Sequence, residues 1–395
     1  MNFIQQAFKV KHDFWRYLVG SVIVFIAAII GQIPYMVAAE FKAMSDGKSI
    51  LSMNEQELMS VLEPNLNLFL MLLSFAFGLA ALFLVVKFLH KQSIKSVTTA
   101  RSKIDWKRVW FAFIFWGIIS SGMVLLDYYL APEGYVWNFE LERFLILAVI
   151  AILLIPIQTS TEEYIFRGYL MQGFAAGTLN KKFLVGIFYS MLFVSIYLFF
   201  KSFFETDILA KIPISGFVTF IIFILSVLIL LLIDFILTKL NFFNSEFYNN
   251  IFQKGKNKVV PLLLTSVIFG GMHVFNPEVS KLGYLVMVYY IGTGLFLGII
   301  TLMDEGMELA LGFHAANNLF GALLVTADWS VLQTHSIFKD TSDPGVGFTD
   351  IVLPVFIIFP IIIFIFAKVY KWKNWKERLF GKIVEPPQEN YKVLD

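Results

Sequence analysis

Residues 213–238 read PISGFVTFIIFILSVLILLLIDFILT, with Asp234 the one charged residue in the run. A hydrocarbon core of about 30 Å needs roughly 20 residues at a rise of about 1.5 Å each, and this stretch supplies them. Only a helix crosses as a single unpaired segment, because every backbone N–H and C=O must be satisfied without water. Working outward, comparable apolar runs occupy 17–39, 66–89, 108–130, 143–158 continuing into 161–175, 183–200, 259–275, 282–302, 307–327 and 351–370. The expected fold is therefore an all-α polytopic transmembrane helical bundle of about ten spans. Composition agrees: 58% of residues are hydrophobic and only 15% charged, with Phe at 44 positions, against roughly half and a quarter for a soluble domain.

Orientation follows from the Lys/Arg bias of short loops. Basic residues gather at Lys9, Lys11 and Arg16, through the 87–108 connection, at Lys181-Lys182, at Lys254/Lys256/Lys258, and from Lys368 to Lys382. The alternate loops 40–65, 131–142 and 328–350 are acidic or mixed, and Glu205 and Asp207 accompany Lys201 and Lys211. This alternation predicts both termini in the cytoplasm; the expected location of the multi-pass integral protein is a bacterial inner (plasma) membrane. The run 18–39 ends in Val37-Ala38-Ala39, as a cleaved signal would, but the long polar stretch before it suits a retained helix. Three regions are expected: N-terminal membrane helices with an outer loop at 40–65 (1–142), a membrane core with inserted helices at 183–258 (143–327), and an outer loop, last span and basic tail (328–395). Trp372 and Trp375 alternate with Lys at the head of that tail, as at a membrane interface.

With no Cys, thiolate catalysis and Cys-ligated zinc are excluded, and the sequence holds no nucleotide-binding glycine loop. The bilayer is the expected partner, and no nucleic acid is.

Ionisable residues inside membrane helices are costly, which marks them as functional candidates. The first group is Thr161-Glu162-Glu163-Tyr164-Ile165-Phe166-Arg167. Pro156 interrupts the apolar run before it, and Ser160 with Glu163 has capping-box spacing, so a fresh helix is expected at Thr161. Glu163 and Arg167 lie about 40° apart around that helix and can pair, whereas Glu162 and Arg167 lie roughly 140° apart. Glu162 is thus the less neutralised carboxylate and the candidate general base. The second group is Phe269-Gly270-Gly271-Met272-His273, whose glycines allow close approach of another backbone. In the third, His314-Ala315-Ala316-Asn317-Asn318, His314 and Asn318 share a helix face. Singly, each group reads equally as capping, salt bridging or interhelical packing. Together they would supply a base, its partner and oxyanion donors for water-mediated peptide hydrolysis.

EEYIFR, FGGMH and HAANN resemble, in order and spacing, the EExxxR, FxxxH and HxxxN motifs of the CAAX prenyl protease type II and bacteriocin-processing (CPBP, or Abi) family. The resemblance covers roughly 150–325, and the 183–258 insertion is longer than the compact family core. It implies a glutamate-dependent intramembrane endopeptidase acting on a membrane protein or lipid-associated peptide. Residue by residue, Glu162 would activate water with His273, His314 and Asn318 would stabilise the oxyanion, and Glu163 and Arg167 would support the site. Asn317 falls outside the motif position. No cofactor is expected. A zinc version with His273, His314 and a glutamate as ligands is chemically sensible, but HExxH is absent.

Depth does not close along the chain. Counted from Arg143, Glu162 lies about 28 Å along, near the cytoplasmic face, and His314 lies about 10 Å in from that face. Counted from Lys258, His273 lies about 22 Å in, so helix 259–275 is expected to begin outside the membrane, to tilt, or to be shorter than the apolar run. A transporter would place polar residues at the midplane of several helices, yet 66–89, 108–126 and 213–233 are nearly devoid of them. A non-catalytic scaffold or immunity protein would keep the fold without hydrolysis.

Overall fold

The computed structural model describes residues 2–53, 55–204, 216–342 and 348–387. The loop charges Glu205, Asp207 and Lys211 and the first residues of the 213–238 run lie outside the described residues. Eight helices among the described residues are long and apolar enough to cross a membrane: α1 Phe14–Ser45, α2 Pro64–Leu89, α3 Trp106–Leu130, α4 Leu141–Gly177, α5 Lys181–Ser202, α6 Val218–Lys239, α9 Val286–Asp304 and α11 Ile351–Val369. Between α6 and α9 come α7 Val259–Met272 and the short α8 Pro277–Leu282, and between α9 and α11 comes α10 Glu308–Leu324. The protein is an all-α polytopic membrane protein. The expected count of ten spans becomes eight long helices, because α7 has 14 residues and α10 has 17. At about 1.5 Å per residue neither reaches 30 Å, and α7 stops at the residue before His273.

One expectation fails at Pro156. No fresh helix starts at Thr161: α4 runs through Pro156 to Gly177, and Ser160 caps nothing. Proline here removes one N–H, and the carbonyl that loses its partner belongs to Ile152. The hydroxyls of Thr159 and Thr161 turn back to the carbonyls of Ile155 and Ile157, so the polar run adds hydrogen bonds without ending the helix. The irregularity sits further on, where Tyr164–Leu170 widens into π-helix. Such bulges recur at functional sites, and this one begins at the residue after Glu163.

α1 packs on α2, α4 lies between α2 and α10, α3 lies along α10, and α7 pairs with α9. α5 and α6 pack on each other. A three-stranded sheet, β1 Tyr135–Trp137, β2 Val325–Ala327 and β3 Phe338–Asp340, joins the α3–α4 connection to the segment after α10. In it β3 is central, antiparallel to β1 and parallel to β2. At the opposite end the basic 87–108 connection meets buried acids. Arg101 binds Asp304 at 2.8 Å and Glu308 at 2.9 Å, Arg108 binds Asp304 at 2.5 Å, and Trp372 donates to Asp304 at 2.9 Å.

α3 and α10 approach closely at Gly312. A Cβ on Gly312 would sit 2.0 Å from the carbonyl oxygen of Val109. Gly312→Ala is therefore expected to destabilise the protein by at least the ~1–3 kcal/mol of ordinary overpacking, since backbone rather than a side chain must move. Gly321, about two and a half turns further along α10, has nothing within 4 Å, and Gly321→Ala is expected to melt with the parent in detergent.

The depth discrepancy resolves through the starting points of the helices. Met171 of α4 and Leu262 of α7 share one apolar cluster with Phe3, Ile4 and Leu302. From that level Glu162 lies about 13 Å away along α4 and His273 about 16 Å along α7. Gly168 faces Met307 at the head of α10, and from that nearer level Glu162 and His314 each lie about 10 Å in. α4 and α7 simply extend further out than α10. Glu162 is correspondingly not at the end of its helix, but about 22 Å short of Gly177.

Candidate active site

Glu163 and Arg167 are one turn apart across the start of the π segment. Arg167 Nη1 donates to Glu163 Oε1 at 3.0 Å, with both side chains essentially sealed at 0–1% exposure. The guanidinium also donates through Nη2 to the carbonyl of Gly294 at 3.3 Å and lies over the Phe269 ring at 4.2 Å. That carbonyl is in reach because α7 and α9 cross through glycine. A Cβ on Gly294 would meet the Ser266 carbonyl oxygen at 2.8 Å, and one on Gly270 would meet the backbone nitrogen of Ile291 at the same distance. Gly271, expected to share this role, faces open space.

His314 enters from α10. Its Nδ1 lies 2.8 Å from Glu163 Oε1, the oxygen already held by Arg167, and its Nε2 lies 3.7 Å from Glu162 Oε2. A carboxylate oxygen that binds a guanidinium only accepts, so Nδ1 carries the proton and Nε2 is the nitrogen turned toward Glu162. Glu163 Oε2 has no hydrogen-bond partner and is buried.

Glu162 is the more open of the two acids, its side chain 15% exposed. Oε1 accepts from Gln158 Nε2 at 2.5 Å. Asn318 Nδ2 in turn donates to Gln158 Oε1 at 3.0 Å. His273 stands at the end of α7, its Nδ1 donating to the Phe269 carbonyl at 2.8 Å and its ring stacked on Tyr290 at 4.3 Å. Nε2 therefore bears the lone pair. His273 lies within electrostatic reach of Glu162, His314 and Arg167 but hydrogen-bonds none of them.

The structure thus brings Glu162, Glu163, Arg167, His314 and Asn318 into one connected group, with His273 beside it. Three residues beyond the expected set join the group by hydrogen bonds: Gln158, Trp116, and Asn317, which the motif pattern leaves out. Gln158 had a readable signal: it precedes Glu162 by one turn on the same face. Trp116 had none, because its partner is supplied by another helix. Among the described residues no group of three His, Cys, Asp or Glu side chains is placed to hold a metal ion.

Two comparisons with known proteins bear on this arrangement. The Uncharacterized protein YyaK of Bacillus subtilis (strain 168) is 24% identical over 332 residues, covering 84% of each chain. No solved structure matches the chain. Residues 241–320, which hold His273, His314 and Asn318, match the family described as Type II CAAX prenyl endopeptidase Rce1-like, while the Glu162–Arg167 segment lies before that match. Through 241–320 this multi-pass membrane protein thus matches a family of CAAX-type membrane endopeptidases, the one its three motifs resemble.

Proposed function

We propose that the chain is a glutamate-dependent intramembrane endopeptidase that hydrolyses a peptide bond of a membrane protein or lipid-associated peptide. The observation that carries this reading is the unequal environment of two adjacent acids. Glu163 is spent on Arg167 and His314, whereas Glu162 keeps one oxygen free of hydrogen bonds. A water between Glu162 Oε2 and His273 Nε2 would give its proton to Glu162 and attack the scissile carbonyl carbon. Asn318 Nδ2, and His314 Nε2 once it carries the proton, would donate to the oxyanion. The proton taken by Glu162 is then close to His314 Nε2, and Glu163 compensates the imidazolium through Nδ1. Its return to the amide nitrogen lets the C–N bond break. No side-chain nucleophile is required.

The reading is metal-free, with Glu163 Oε1 already holding two donors. The detergent-purified protein is expected to cleave at an unchanged rate after prolonged EDTA treatment. Loss on chelation and recovery on adding zinc would replace water activation by Glu162 with the zinc mechanism. Substrates are to be sought by comparing membrane proteomes of cells carrying the parent or Glu162→Gln. A peptide that accumulates only in the variant supports the reading, and identical proteomes favour a scaffold or transporter.

A further inference from the structure

We infer that Trp116, Asn317 and Gln158 form a polarised amide relay that positions the carboxylate of Glu162. The inference rests on the protease reading for its consequence, but the relay itself is a property of the fold. Four hydrogen bonds connect α3, α10 and α4. Trp116 Nε1 donates to Asn317 Oδ1 at 3.0 Å, Asn317 Nδ2 to Asn318 Oδ1 at 3.1 Å, Asn318 Nδ2 to Gln158 Oε1 at 3.0 Å, and Gln158 Nε2 to Glu162 Oε1 at 2.5 Å.

Each amide in such a chain has two orientations, and turning one over would oppose two donors or two acceptors with its neighbours. The direction is therefore set at the ends. An indole N–H only donates. Trp116 is buried and stacked on Phe313 at 4.5 Å and 27°, so its N–H stays aimed at Asn317. The other end is a carboxylate, which only accepts when ionised. Donor-only and acceptor-only termini agree with a single polarity, and the three amides between them transmit it. In a site poor in water such a chain is stronger than isolated bonds.

The consequence lies in which oxygen of Glu162 is free. Gln158 occupies Oε1, leaving Oε2 to face His314 Nε2 at 3.7 Å. The relay thus fixes the carboxylate's rotation and reserves one oxygen for the proton of the attacking water. Gln158, Asn317 and Trp116 are positioning residues, since each acts through another side chain. They account for an amide beside Asn318 that the HxxxN pattern leaves unassigned.

Asn317→Asp tests the polarity with almost no change of shape. The new carboxylate still accepts from Trp116 but offers no N–H to Asn318. Asn318 then turns to donate, Gln158 turns to follow, and an amide oxygen meets Glu162 instead of an N–H. At pH 8 kcat is expected to fall about 10–100-fold with KM held within about twofold, the signature of lost transition-state alignment rather than lost substrate binding. Trp116→Phe, which keeps the stacking on Phe313, is expected to lower kcat in the same direction by less. A second readout needs no activity. Thermal unfolding in detergent of Trp116→Phe, Asn317→Leu and the double variant is expected to be non-additive, the double losing little more than the worse single. Additive losses, or an unchanged kcat in Asn317→Asp, would overturn the relay. If the parent cleaves nothing while the cycle stays coupled, the protease reading fails and the relay stands.

Discussion

Glu162→Gln is expected to fold as the parent does and to lose cleavage by about 10²–10⁴-fold, the range contributed by a positioned general base. The substitution is nearly isosteric. The new amide oxygen can still accept from Gln158 Nε2, so Gln158 keeps its orientation and its bond from Asn318 on α10 survives. What disappears is a basic oxygen facing His314 Nε2 and the space beside His273. Because the acid is the more exposed of the pair, no buried charge is stranded, and the melting temperature in detergent is expected to stay with the parent's. The measurement is single-turnover cleavage of a peptide recovered from the membrane proteome, with unfolding followed on the same preparation. Retained cleavage by a folded Glu162→Gln protein would remove Glu162 as the base.

Arg167→Met is expected to act on stability first. Glu163 is fully buried, accepts from Arg167 and His314 on one oxygen, and has no partner on the other. Removing the guanidinium leaves a buried carboxylate facing only an imidazole and strips the donor from the Gly294 carbonyl. Breaking a buried pair from one side costs about 3–5 kcal/mol, because the remaining charge is uncompensated. Arg167→Lys is expected to recover only part of this. A single ammonium cannot reproduce the two-pronged contact to Glu163 and Gly294, nor lie flat over Phe269. The double variant Glu163→Gln/Arg167→Met is expected to regain much of the lost stability while remaining inactive, since both buried charges are gone but His314 has lost its anchor. Thermal unfolding of the three variants checks the ordering. A single Arg167→Met change that leaves unfolding within about 1 kcal/mol of the parent would mean the pair bears little of the packing.

The spacing of Glu163 and Arg167 already placed them on one helical face, and that pair forms as a local consequence of 3.6 residues per turn. The same arithmetic separated Glu162 from Arg167 and holds in the structure even though the helix is locally π-wound there. Local reasoning erred at Pro156 and Ser160, where residues that often end helices sit inside a continuous one. In a membrane the alternative to continuing the helix is unsatisfied backbone in hydrocarbon, which costs more than one lost N–H bond.

Placement in a bilayer, the pairing of Glu163 with Arg167, and the three polar groups in otherwise apolar helices are all legible in the residues. All of these follow from hydrophobicity and helical period, which are properties of a single segment. How the three groups meet depends on the packing of separate helices. α4 and α7 project beyond α10, which brings His273 alongside Glu162 and His314. Glycines at 270 and 294 draw α9 in until its carbonyl meets Arg167. Trp116, an unremarkable residue in the α3 run, reaches Glu162 through three amides on two other helices. Such contacts depend on where separate helices start and how closely their backbones approach, quantities that no residue pattern within one helix encodes.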